Sequence, residues 1–265
     1  MIVAEHINVV VSGKKKLVEE FSVKIQPGVL TAVIGKNGAG KSTSLKAITG
    51  DIAHQSGTIY LEETPIQKVP IQELARKRAV VHQKSSLQFS FSVQDVVGLG
   101  RSPYGGTFLS GKDFEIVEEC LQKVDATHLM ERTYTTLSGG EQQRVQFARS
   151  LAQIWDAIES NSPSYLLLDE PLASLDVAHQ HEMMHVLKQL CASNVGVFII
   201  IHDLNLAAQY SDYIIILKDG KTVAEGTAKE VFNEEIIGSA FDFPVSIIPH
   251  PKIDCPLIVA SGLID

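Results

Sequence analysis

The chain has 265 residues, 45% hydrophobic and 20% charged, with a net charge of −8. That size allows a real core burying roughly three quarters of the unfolded surface, and the absence of a long basic run argues against nucleic acid, whose phosphates call for clustered Lys and Arg. Cys120, Cys191 and Cys255 are too sparse for a disulfide framework or a metal-ligand spacing and point to a reducing compartment, while no leader pattern opens the chain and no apolar run approaches the ~20 residues of a membrane helix.

In chain order, residues 2–11 and 17–25 read as neighbouring antiparallel strands joined by a Ser12-Gly13 turn, with Lys14-Lys15-Lys16 as a solvated basic triplet. Residues 30–34 form a short Val/Ile-rich run without alternation, the pattern of a strand buried on both faces. A Gly-rich turn then opens a helix at 41–49, and 78–82 reads as a further strand. Residues 91–158 carry almost no strand signal and read as a helical insertion, which runs into a long helix at 139–159. Runs at 165–168, 197–201 and 213–217 again read as buried strands, with a helix at 177–192 between the first two. Strands alternating with helices imply parallel βαβ units. The expected architecture is therefore α/β: a mainly parallel sheet, an N-terminal antiparallel β portion and a helical subdomain at about 84–160, within one domain of residues 1–265.

Gly35-Lys36-Asn37-Gly38-Ala39-Gly40-Lys41-Ser42 fits G-x4-G-K-[ST], placed between a strand and a helix as that motif requires. Its glycines let consecutive backbone N–H groups converge on one phosphate, and the helix start adds a positive dipole. Lys41 can then reach the β- and γ-phosphates, and Ser42, followed by Thr43, can place a hydroxyl on Mg²⁺. This makes the core that of a P-loop NTPase. The strand at 165–168 ends in Asp169-Glu170. Asp169 would hold Mg²⁺, and Glu170 would orient or deprotonate an attacking water.

His181-Glu182-Met183-Met184-His185 also matches H-E-x-x-H, the helical zinc-protease motif. At 100° per residue, His181, His185 and Lys188 share a polar face, while Met183, Met184, Leu187, Leu190 and Cys191 take the other. The histidines therefore read as a solvated face.

Leu137-Ser138-Gly139-Gly140-Glu141, followed by Gln142-Gln143-Arg144, narrows the class. Ser138 and Glu141 make a capping box, but that does not explain two glycines in a first helical turn, where each costs about 1 kcal/mol against Ala. The segment resembles the signature of ATP-binding cassette (ABC) proteins, and nearly the whole chain follows their motif order. The resemblance implies that Gln83 senses the γ-phosphate, helps hold Mg²⁺ and links to a membrane partner. It further implies that Ser174-Leu175-Asp176 crosses a dimer seam, with Asp176 near nucleotide, and that His202 in His202-Asp203-Leu204-Asn205 contacts the γ-phosphate. It implies an ATPase in which two copies sandwich two Mg-ATP, each phosphate loop facing the other copy's Ser138, Gly139 and Gly140. Ser12 stands where such proteins often carry an adenine-stacking aromatic, Lys36 where Pro is usual, adding charge near the phosphates, and Leu172 where Thr is common.

Residues 93–104, with Gly100-Arg101-Ser102-Pro103-Tyr104, and residues 202–207 resemble the ATPases of iron-chelate, heme and vitamin B12 importers. The stretch 154–164 and the tail His250-Pro251 resemble the heme branch. The implied partners are a second copy, two transmembrane permease subunits and, indirectly, a periplasmic substrate-binding protein. The implied place is the cytoplasmic face of a bacterial inner membrane. A siderophore or vitamin B12 importer, or a soluble ABC ATPase without a pore, are the alternative readings; a simple P-loop kinase or GTPase should lack the signature.

Overall fold

The computed structural model describes residues 1–11, 15–83, 90–105 and 110–262. The chain forms strands β1 (Ile2–Val11), β2 (Lys15–Ile25) and β3 (Leu30–Gly35), helix α1 (Lys41–Thr49), and strands β4 (Ser56–Leu61) and β5 (Thr64–Pro65). Helix α2 (Ile71–Lys77), strand β6 (Arg78–Val81), helices α3 (Val93–Gly98), α4 (Gly111–Lys123) and α5 (Gly139–Glu159), strand β7 (Ser164–Asp169), helix α6 (Val177–Ala192) and strand β8 (Val195–Ile200) follow. Helix α7 (Leu204–Tyr210), strands β9 (Tyr213–Lys218) and β10 (Lys221–Gly226), helices α8 (Ala228–Val231) and α9 (Glu234–Phe241), and strands β11 (Val245–Pro249) and β12 (Pro256–Ala260) complete it. Helices α1, α5 and α6 have the ends expected from the sequence. The Ser12-Gly13 turn and Lys14 lie outside the described residues. Contacts divide the chain into two compact units, residues 1–68 with 198–265, and residues 69–197.

In the first unit β1 pairs antiparallel with β2 and with β4. The buried side chains of β1 are Ile2, Ala4, Ile7 and Val9, so the period of two slips by one residue after Ala4. The extra residue is His6, at φ 53°, and β2 slips likewise between Val18 and Phe21 at Glu20, φ 51°. These are β-bulges, which absorb one residue and keep the apolar set on one face. His6 Nδ1 lies 2.9 Å from Glu20 Oε2, so the two bulges face each other. Beside this layer, β3 runs parallel to β9, and β9 antiparallel to β10. All six residues of β3 are buried, as a strand covered on both faces should be.

The first unit closes with an antiparallel hairpin of β11 and β12, which the sequence reading did not assign. Asn205 of α7 grips it from both sides: its Nδ2 donates to the Ile258 carbonyl (3.2 Å), and its Oδ1 accepts from the Ile258 N–H (2.8 Å). β10 also went unassigned, because its exposed positions carry Lys221, Val223 and Glu225 and leave no continuous apolar run.

In the second unit β6 and β7 pair in parallel, from Arg78–Tyr165 to Val81–Leu168. Every residue of β7 is buried, and each large apolar side chain so covered contributes roughly 1.5–3 kcal/mol. Helices α3 and α4 pack on α5. The 100–104 segment is fastened there: a Cβ on Gly100 would stand 2.3 Å from the Arg149 carbonyl oxygen, and the Tyr104 hydroxyl donates to the Gln153 carbonyl (3.0 Å). Arg101, 5% exposed, reaches Asp113 Oδ1 (2.8 Å), Asp156 Oδ1 (3.0 Å) and the Ala152 carbonyl (2.8 Å), and stacks 3.9 Å over the Tyr104 ring. Breaking a buried pair strands its partner charge, so Arg101→Ala should lower the unfolding free energy by about 3–5 kcal/mol, measured by urea titration.

Candidate nucleotide site and signature cleft

In the first unit the 35–42 loop turns between β3 and α1. Gly40 has φ 103°, and a Cβ there would stand 2.6 Å from the Leu17 carbonyl oxygen, so conformation and space both require glycine. Gly40 also leaves α1 without a side-chain cap, an arrangement suited to receiving an anion. Lys41 is 4% exposed, and its Nζ donates to the carbonyls of Gly35 (2.7 Å) and Lys36 (3.0 Å), which hold the ammonium group over the loop. Asn37, Gly38, Ala39, Ser42 and Thr43 follow the same turn into α1. His202 follows β8 and is exposed. Next to it, Asp203 Oδ1 caps α7 by accepting from the N–H groups of Asn205 (2.8 Å) and Leu206 (3.0 Å). Ser12, the position considered for adenine stacking, lies outside the described residues.

Lys36, expected to add charge near the phosphates, turns away: its Nζ is 2.8 Å from Asp242 Oδ2, whose other oxygen is 2.8 Å from Lys218 Nζ. Hydrogen bonds from Lys218 first and Lys36 second hold the Asp242 carboxyl at about 2, down from 3.8. The folded value lies below the unfolded one, so this contribution is present above pH 3.8 and is lost as pH falls through about 2. Carboxyl-detected NMR should find the Asp242 midpoint near 2 and Lys36→Met should move it upward; a midpoint at 3.8 in the native chain would contradict the pairing.

In the second unit Asp169 ends β7 with 2% exposure. Glu170 follows at φ 52°, an uncommon conformation for a residue with a side chain. Such conformations persist where the surroundings over-determine them, often at functional sites. Here the partner is Gln83, whose Nε2 donates to Glu170 Oε2 at 2.5 Å. Two residues 87 apart in sequence, singled out separately, thus form one pair. Gln83 and Asp169 of this unit carry side-chain oxygens, as does Ser42 of the first unit, and oxygen is the donor type that Mg²⁺ takes.

The signature segment takes the expected capped form. Ser138 Oγ accepts from the Glu141 N–H (3.3 Å), and Glu141 Oε2 accepts from the Ser138 N–H (2.7 Å). That backbone bond is the first cause holding the Glu141 carboxyl below its ordinary value. The glycines have a packing role as well. A Cβ on Gly140 would stand 3.0 Å from the Ser174 carbonyl oxygen, and one on Gly139 would stand 3.6 Å from Ser174 Cβ. The start of α5 and the 174–176 loop enclose an open cleft of about 460 Å³, with Arg144 and His179 on its wall. Asp176 caps α6 and is held by His179, a residue the sequence reading passed over; its position three residues after a capping Asp was the available signal.

The H-E-x-x-H helix shows the phase its sequence implied. Met183, Met184, Leu187, Leu190 and Cys191 are buried, and His185 Nε2 sits 3.0 Å from Gln189 Nε2. Among the described residues no three His, Cys, Asp or Glu side chains cluster as metal ligands.

Comparison with known proteins agrees with this geometry. A family model described as ABC transporter matches residues 18–173. The Hemin import ATP-binding protein HmuV of Gloeobacter violaceus is 42% identical, covering 99% of this chain and 94% of that protein. The protein of the same name from Burkholderia thailandensis is 40% identical, covering 98% and 100%. Among solved structures, an ABC transporter described as metal-chelate type, in an inward-facing conformation, superposes with a TM-score of 0.80 at 24% identity, over 98% of this chain and 97% of the other. A dimeric ATP-binding cassette in a post-hydrolysis state with ADP and Pi superposes with a TM-score of 0.73 at 26% identity, over 86% and 98%. On the strength of its phosphate loop, its capped Ser-Gly-Gly helix start and these matches, the chain belongs to the ABC transporter family.

Proposed function

We propose that the chain is the ATP-hydrolysing subunit of a heme importer, acting as a pair that closes around two Mg-ATP. One observation carries this reading: a single chain holds a phosphate loop built around Gly40 and Lys41 and also an open cleft at the Ser138, Gly139 and Gly140 helix start. One copy uses the first on its own ATP and offers the second to its twin's. The heme cargo is supported by relatives at 40–42% identity that are named for hemin import. Among the described residues no helix is long and apolar enough to cross a membrane, so the proposal includes two separate permease subunits. It places the pair at the cytoplasmic face of the membrane, with a periplasmic binding protein delivering cargo to the permease.

Each residue has a role its surroundings support. Backbone N–H groups of the 35–42 loop and Lys41 hold the β- and γ-phosphates. Ser42, Gln83 and Asp169 would hold Mg²⁺, which when bound offsets phosphate charge as it develops. Glu170, oriented by Gln83, aligns the water and takes its proton. His202 and the twin's Ser138, Gly139 and Gly140 present preorganised donors to the γ-phosphate. Asp176 lies on the seam between the copies.

The cargo assignment is tested in liposomes carrying this chain with its cognate permease. Heme with its binding protein should stimulate ATPase activity. Stimulation by cobalamin or a ferric siderophore, but not by heme, would overturn it. Full turnover by a chain that sediments strictly as a single copy would overturn the pairing.

A further inference from the structure

The first turn of α6 holds the loop before it from two sides. Asp176 Oδ1 accepts both the His179 N–H (3.0 Å) and the His179 ring Nδ1–H (2.9 Å). A carboxylate only accepts, so this contact requires the proton on Nδ1. The next residue grips the loop backbone: Gln180 Nε2 donates to the carbonyls of Leu172 (3.2 Å) and Leu175 (3.1 Å). An ordinary helix cap needs only the backbone N–H contact; the ring and the amide are additional.

The clamped loop forms one wall of the signature cleft. Ser174 lies against Gly139 and Gly140, so a shift of residues 174–176 changes the space at the helix start. Asp176 is itself 67% exposed, and an exposed carboxylate ordinarily exchanges its partners with water; the His179 ring, one-third exposed, restricts it. Across the cleft Arg144 is held in turn, its Nη1 donating to the Asp125 carbonyl (2.7 Å).

We propose that His179, assisted by Gln180, is a positioning residue for ATP hydrolysis: it holds the 172–176 loop against the start of α5, so that the cleft has its shape before the twin's γ-phosphate arrives. This rests on the pairing reading above. His179 touches no reacting atom in this account and acts through Asp176 and Ser174.

The test uses the full chain in two measurements. Hydrogen exchange without nucleotide reads the clamp directly: His179→Ala should speed exchange across residues 172–176 about tenfold, the scale of one lost charge-assisted bond. Steady-state kinetics read its use: His179→Ala should lower kcat about tenfold, with KM for ATP and thermal midpoint nearly unchanged. His179→Asn, whose amide can replace Nδ1–H, should recover most of the loss; His179→Gln, whose amide reaches toward the Nε2 position, should not. Unchanged exchange in His179→Ala overturns the clamp while ATP-driven pairing stands. Faster exchange with unchanged kcat, or rescue by Gln and not by Asn, overturns its role in hydrolysis. Failure of the native chain to pair with ATP overturns the underlying reading instead.

Discussion

Glu170→Gln should lower ATP turnover by roughly 10² to 10⁴ while leaving ATP binding intact, the range expected for loss of one positioned acid–base group. The substitution is nearly isosteric, and the new amide oxygen can still accept from Gln83 Nε2, which now donates to Glu170 Oε2 at 2.5 Å. The strand end, with its φ of 52° at position 170, therefore has no reason to rearrange. What disappears is the negative charge that accepts a proton from water. Hydrolysis is the step proposed to reopen the closed pair, so the variant should accumulate as an ATP-bound dimer, visible by light scattering after gel filtration. Near-native turnover would remove Glu170 from the reaction.

Gly139→Asp should be as damaging to catalysis and nearly silent in stability, because its effect falls on the other copy. A Cβ at this position meets Ser174 Cβ at an ordinary 3.6 Å, so the side chain fits. An acid in a first helical turn even stabilises the helix, by about 0.3–1 kcal/mol. The same carboxylate would repel the twin's γ-phosphate and obstruct preorganised donors, whose loss typically costs 10² to 10³ in rate. Thermal midpoint should therefore hold while ATP-driven pairing and turnover collapse. Mixing gives the sharper result. In the proposed two-fold dimer each site takes Glu170 from one copy and Gly139 from the other, so a heterodimer of Glu170→Gln with Gly139→Asp contains one intact site and one doubly defective site. With the two variant copies covalently linked, so that pairing is fixed, the heterodimer should recover about half of the activity of a linked native pair, given independent sites. If it stays as inactive as the linked parents, the shared-site arrangement fails.

The phosphate loop and the helix start proposed for the site stand out in the sequence because each carries a local rule, whereas Gln83, Asp176 and His202 are singled out only by the family resemblance. The phosphate loop is a contiguous pattern between a strand and a helix. The Ser138–Glu141 capping box depends on contacts three residues apart, and it forms as the spacing implied. The ends of α1, α5 and α6 followed from Gly-rich or capping starts, and the buried strands from unbroken apolar runs. What could not be read was the alternation slip in β1 and β2: bulges at His6 and Glu20 leave residues of ordinary composition in an uncommon conformation.

Other features exist only where distant segments meet. Lys36 reads as a charge beside phosphate until its partner Asp242, 206 residues away, is known. Glycines at 139 and 140 go beyond what a helix cap needs, and folding supplies a reason, the close approach of Ser174. The weak hairpin of β11 and β12 has too few buried side chains to announce itself and gains its place from Asn205. The amino-acid order by itself determined the buried strands, helices α1, α5 and α6, the phosphate loop, the capped signature helix and hence the class of chemistry, because short-range sterics and hydrogen bonding set those within a few residues. Tertiary structure alone decided which side chains are paired, turned away or clamped, because a charge or a carbonyl finds its partner only after the intervening chain has packed.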